Sequence, residues 1–398
     1  MLTFMGNRGS KFALLFLPAV LCGRATTPLY SVPQPETHSH PSRNSGGQNF
    51  GGKSSGHQSS GDQSSQDQAS SRNAKSGVLV SHTDFHGWPA IVLRNRVAEV
   101  IVVPDIGRVM QFNLLDDSGN STPGPFWNHP AIDKKLAADG EGWTNYGGDK
   151  VWPAPQSDWP KVAGRSWPPP AAFDAAPYSS SIKGKAIELV SGPDPGYGIR
   201  VHRTIVLHPL MPMMTIETMF EKVSGAPVRA AVWTITQLMS PDRAFMLLPP
   251  HTKLPGSYAS FLPSPPKDLK IEGRLLSVVR DPENKTMVGG EGNCLLWVGA
   301  GPDLLIGHEY VSSRRPRGRI ADAEDQSGAE WPDRGSHAKI YTNSDDQKYV
   351  ELEFLDPLQN LSSGAKALMR SSYTLIRRTE RDPFREAQKV LEQELRRR

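Results

Sequence analysis

The run IRVHRTIVL, Ile199 to Leu207, carries Ile199, Val201, Ile205 and Leu207 at alternate positions. In an extended chain successive side chains point to opposite sides, so these four share a face. MMTIETMF (213–220) follows after a short break, and VRAAVWTITQL (228–238) repeats the alternation. VAEVIVVP (97–104) precedes them, and further runs lie at 275–279, 295–298, 304–308, 339–342, 348–354 and 367–376. Pro and Gly separate most of these runs. Period two over short lengths, bounded by turns, is the pattern of antiparallel strands. Helical periodicity is nearly absent from 78 to 376. The expected fold class is therefore all-β: a large sandwich with long loops at the proline-rich stretches 153–177 and 249–266.

The flanks differ. Residues 1–25 combine a basic start with the apolar stretch FALLFLPAVLC, and read as a signal peptide. Export to the periplasm or the extracellular space follows, with lipid attachment at Cys22 as the weaker alternative. Residues 26–77 are a Ser/Gly/Gln-rich linker that cannot build a core. Its His38, His40 and His57 have no fixed spacing that would define a metal site. Beyond the β region (78–376), residues 377–398 hold the one good helical pattern. There Phe384, Ala387, Val390 and Leu391 form a stripe suited to packing on the domain.

A net charge of +4 over 398 residues gives no argument for nucleic acid. No apolar segment is long enough for an integral membrane domain. Cys22 and Cys294 are the only cysteines, so loss of the leader leaves no intrachain disulfide. Cys294, in CLLWV, reads as a small core residue. No metal or cofactor fingerprint is present.

Three stretches can carry chemistry. WTNYGGDKVWPAPQ (143–156) offers Trp143, Tyr146 and Trp152 as flat faces for a sugar, with Asn145, Asp149 and Lys150 as polar partners. Gly147 and Gly148 allow a tight backbone path beside a ligand. In YVELEF (349–354), Glu351 and Glu353 project to one side of a strand, and a carboxylate beside aromatics suits a general base. In WTITQ (233–237), Trp233 and Gln237 share a face. Arg108, after a turn in VPDIGR, is a candidate carboxylate clamp.

The order VPDIGRV, FWNHP, NYGGDKVWPAPQ, WTITQ, YVELE and LSSGA resembles a largely uncharacterised bacterial family with a galactose-mutarotase-like (aldose 1-epimerase-like) fold, over roughly residues 85–376. The resemblance implies a β-supersandwich with a carbohydrate-sized cleft on its concave face. It makes Glu351 the carried-over base, with Glu353 where the epimerases have glutamine. Both histidines of the epimerases are missing: Tyr146 stands at one position, and the segment 234–237 has none. Lys150, Tyr146 or His202 is the candidate replacement acid.

The leading expectation is an exported protein that binds a carbohydrate or sugar-derived molecule. A carbohydrate epimerase, lyase or hydrolase using Glu351 as base is the enzyme alternative. A non-catalytic envelope protein, whose cleft would be filled by side chains or by the 153–177 loop, is the third.

Overall fold

The computed structural model describes residues 77–132, 143–266, 268–310 and 328–396. The signal-peptide reading, Cys22 and the linker up to residue 76 lie outside the described residues.

The period-two runs become strands of two large sheets, and every strand pairing is antiparallel. Among the described residues the first sheet has 11 strands. Its middle runs Arg108–Leu114, Asp149–Ala154, Val228–Met239, Tyr349–Leu355, Ala338–Thr342 and Thr286–Gly290, in that spatial order. The second sheet has 10 strands, and Cys294–Gly299, Asp303–Tyr310, Lys366–Arg377, Met213–Lys222 and Ile199–Leu207 are adjacent in it. The expected all-β supersandwich with long loops and a short C-terminal helix is the fold observed.

The faces that meet are apolar. Val232, Leu238, Ile340, Val350, Leu352 and Phe354 of the first sheet join one core with Ile199, Val201, Ile205, Ile216, Phe220 and Leu375 of the second. One position in that apolar row is charged. Arg203 shares the alternation of Val201 and Ile205 and is fully buried. Its guanidinium pairs with the Asp149 carboxylate across the sandwich, and it also donates to the backbone oxygens of Asp149 (3.1 Å) and Gly107 (3.3 Å). Thr236 Oγ1 lies 2.7 Å from the second Asp149 oxygen, and the Tyr373 hydroxyl lies 3.3 Å from it.

The helix Pro383–Arg396 closes the outer face of the second sheet. Ala387, Val390 and Leu391 are buried in one cluster with Phe245, Cys294, Leu296, Val298 and Ile306. The stripe packs on the domain, as its spacing predicts. The 153–177 stretch is more ordered than a proline-rich loop suggests, since it contains the single-turn helices Trp159–Val162 and Ala171–Asp174. No helix among the described residues is long and apolar enough to cross a membrane.

Truncating one member of a buried ion pair strands the other charge, at a cost of about 3–5 kcal/mol. Arg203→Leu is therefore expected to lose that amount in urea unfolding. The double substitution Asp149→Leu/Arg203→Leu should recover part of it. A loss in the double variant equal to the sum of the losses in Asp149→Leu and Arg203→Leu would show that the pair is not coupled.

Candidate functional site

Strand alternation divides the middle of the first sheet into two chemistries. Asp149, Thr236 and Val350 face the core. The next residues along each strand face the other way, and the register aligns them: Trp152 opposite Trp233, Lys150 opposite Ile235, Gln237 opposite Glu351, Glu353 opposite Lys339, and Glu351 opposite Tyr341. The sheet thus gathers Lys150, Trp152, Trp233, Gln237, Glu351 and Glu353 on one face, together with Lys339 and Tyr341.

Two lysines on this face sit in unlike surroundings. Lys339 Nζ is 2.8 Å from Asp333 and 3.1 Å from Glu353, and lies 3.8 Å from the centre of the Trp233 ring. Burial works against its charge, but Glu353 and Asp333 outweigh that and hold it above the ordinary lysine value. Lys150 Nζ makes no hydrogen bond. Its nearest carboxylate oxygen, of Glu351, is 3.7 Å away, and the rings of Trp152 and Trp143 lie at 4.2 and 5.1 Å. Burial lowers its pKa, and the attraction of Glu351 only partly offsets this.

The two glutamates differ as well. Gln237 donates to Glu351 at 2.8 Å, and Glu351 is 7% exposed. Glu353 is wholly buried. It accepts from Trp233 Nε1 (2.8 Å), and its second oxygen has no partner. Burial pushes it up to about 7, with Lys339 opposing the shift. Asp333 and Arg334, which close this side, have φ of 48° and 62°. Such left-handed backbone is costly for residues with a Cβ and persists where surrounding contacts impose it.

Several expected roles need correction. Asp149 does not reach this face, because its carboxylate is committed to Arg203 in the core. Arg108 is no free clamp. It is fully buried and donates to Gly147 O (2.8 Å), Asp174 Oδ1 (2.9 Å) and Asp174 O (3.3 Å). His202 lies on the second sheet, hydrogen bonded to Glu221 at 2.8 Å, away from the lysine–glutamate face. Tyr146 packs edge-on to Trp88, with Arg108 5.6 Å from its ring centre, in a satellite cluster. Gly147 and Gly148 serve the fold rather than a ligand: a Cβ would come within 2.2 Å of Trp127 O or 2.4 Å of Val109 O. Asn145 donates to Gln347 Oε1 at 2.9 Å.

Trp152 and Trp233 are 6% and 3% exposed, and their indoles meet edge to face at 5.3 Å. Trp159 and Trp167 add further edge contacts to Trp152. These rings are covered rather than open platforms. Trp143 is half-buried and forms the rim. The key to this arrangement is Asp174, which the sequence reading passed over: its two oxygens accept from Trp143, Trp152 and Arg108. Lys339 and Tyr341 were missed too, because the parity of KIYT becomes informative only once its register against YVELEF is known, and Asp333 lies in the preceding turn PDRG, where strand parity says nothing.

Among solved structures, the chain is similar to a TPR-domain containing protein from Parabacteroides distasonis (16% identity, TM-score 0.46), covering 72% of this chain and 47% of that one. It is also similar to galactose mutarotase-like proteins from Lactobacillus casei (10% identity, TM-score 0.48, 72% of this chain and 100% of that one) and Clostridium acetobutylicum (9% identity, TM-score 0.45, 76% and 99%). No family model and no curated protein matches the chain.

Because Glu353 is pushed up to about 7, the folded state holds its proton more tightly than the unfolded chain does. That stability is full below an ordinary carboxyl pKa of about 4.5 and is lost as pH rises towards about 7, a change of roughly 3 kcal/mol. The Trp233 indole N–H resonance is expected to titrate with a midpoint near pH 7 and to stop moving in Glu353→Gln. A midpoint near the ordinary carboxyl value would contradict the assignment.

Proposed function

We propose that this chain is an exported carbohydrate-binding protein of the galactose-mutarotase-like bacterial family, with its ligand held on the Lys150–Glu351 face. One observation carries the reading. Lys150 Nζ, Gln237 Oε1 and Glu353 Oε1, on three adjacent strands of one face, are buried without hydrogen-bond partners. Each such group costs about 1–3 kcal/mol. A polyhydroxylated ligand both donates and accepts, so one molecule can serve the amine, the amide oxygen and the carboxyl. Half-buried Trp143 supplies an apolar edge beside them. The motif order from VPDIGRV to YVELE supports the family assignment.

As an enzyme, the site offers Glu351 as the base, fixed by Gln237, and the Lys150 amine as its proton partner. Mutarotation requires one proton removed at the anomeric hydroxyl and one delivered to the ring oxygen. The covered faces of Trp152 and Trp233, each with a lysine against it, favour the non-catalytic envelope protein as the second reading. Export to the periplasm or beyond is part of the proposal and rests on the N-terminal 25 residues.

Calorimetry against neutral sugars and uronates is expected to give heat for at least one member. Glu351→Gln should weaken that binding about tenfold, equivalent to about 1.4 kcal/mol, with the circular dichroism unchanged. Silence across the whole panel would sink the binding reading. Turnover that survives Glu351→Gln would remove Glu351 as base.

A further inference from the structure

We propose that Lys150 is an imine-forming amine that takes an aldose in its open-chain aldehyde form. The inference rests on reading this face as sugar-binding and names the form of sugar that it captures.

Two lysines on one face stand in contrast. Lys339 is a locked cation, with carboxylate oxygens at 2.8 and 3.1 Å. A lysine that only props up an indole needs that arrangement, and the fold supplies it. Lys150 has the same kind of aromatic neighbour but no hydrogen-bond acceptor, and one carboxylate oxygen at 3.7 Å. Desolvation there favours the neutral amine, which is the nucleophilic form. The Glu351 oxygen near Nζ is the one that Gln237 holds at 2.8 Å, so the proton carrier is fixed beside the nucleophile. Lys150 is itself fully buried, and of the groups around Nζ half-buried Trp143 is the most exposed, so the carbonyl reaches the amine past that rim.

The step balances without an oxidant or reductant. Lys150 becomes the neutral amine by passing its proton to the Glu351 carboxylate; the Nζ lone pair then forms a bond to the carbonyl carbon, and the carbonyl oxygen takes that proton from Glu351. The nitrogen then returns a proton to the carboxylate, and the hydroxyl of the carbinolamine leaves as water on reprotonation, giving the C=N bond. Ring opening of the bound sugar supplies the aldehyde, and hydrolysis of the imine releases it with either face open to reclosure.

The test is reductive trapping. The full chain is incubated near neutral pH with D-glyceraldehyde and sodium cyanoborohydride, then read by intact mass and peptide mapping. The expected product gains the mass of one aldehyde less one oxygen. The label should sit on Lys150 in preference to exposed amines such as Lys183, 71% exposed. Lys150→Arg should remove that labelled peptide, and Glu351→Gln should slow labelling roughly 100-fold, the scale of general acid–base assistance. Should Lys150→Arg not fold, the wild-type peptide map decides alone. Labelling confined to exposed lysines, with Lys150 unmodified, overturns the inference. If calorimetry still shows sugar binding in that case, the binding reading stands without it. A labelled Lys150 with a silent calorimetric panel upholds the amine and removes the sugar.

Discussion

The geometry of this sandwich depends on one buried charge pair. Arg203 lies in an otherwise apolar row of the second sheet, and among the described residues its only charged partner is Asp149 on the first. An unpaired guanidinium at this depth would cost several kcal/mol, so the two sheets can dock only where Asp149 meets it. That condition has a second effect. Side chains alternate along a strand, so an inward Asp149 sends Lys150 outward. A slip of one residue in Asp149–Ala154 would put Lys150 and Trp152 into the core and the carboxylate among the indoles. Gly147 and Gly148 serve the same alignment, for they let the preceding turn touch the backbone of Trp127 and Val109.

What the outward face then holds is a graded set of ion pairs. At one end Asp333, Lys339 and Glu353 form a closed chain ending on the Trp233 indole. At the other end Lys150 faces a single carboxylate at a distance longer than a hydrogen bond. Asp174 performs the structural work between them and the loops. By gripping Trp143, Trp152 and Arg108 it ties the 143–154 strand and turn to the single-turn helix Ala171–Asp174. The tryptophans are therefore held by their N–H groups from below and crowded by one another at their edges. This is why Trp152 and Trp233 form walls, and why the rim falls to Trp143.

Much of this was legible in the sequence, for definite reasons. Period-two alternation gave the strands, and it also placed Glu351 beside Glu353 and Trp233 beside Gln237, since parity within a strand needs no third dimension. The failures all concern relations between strands. Asp149 and Lys150 are neighbours in sequence, and nothing local says which of them faces the core. The partner that decides it, Arg203, is 54 residues away. Arg108 read as a free clamp because its partner Asp174, 66 residues on, lies in a proline-rich stretch without periodicity. His202 shares a strand with Arg203 but points the other way, to Glu221. The paired glycines read as a ligand loop because a positive φ looks the same whether it admits a sugar or a neighbouring backbone.

The energetic oddity of the outward face is that it is covered yet incompletely satisfied. Stability alone would favour leucine or methionine at position 150, since replacing a buried charged or polar group by an apolar one of similar volume is often neutral or favourable. The same holds for Gln237, whose amide oxygen is idle, and for Glu353, whose burial holds a proton on the carboxyl to about neutral pH. Three such deficits on adjacent strands of one face are hard to assign to packing, because packing is what they weaken. Asp149 and Asp174 show that this fold can fill both oxygens of a buried carboxylate where the architecture requires it. On the proposed reading, the unfilled valences at Lys150, Gln237 and Glu353 are met by a molecule that offers several hydroxyls.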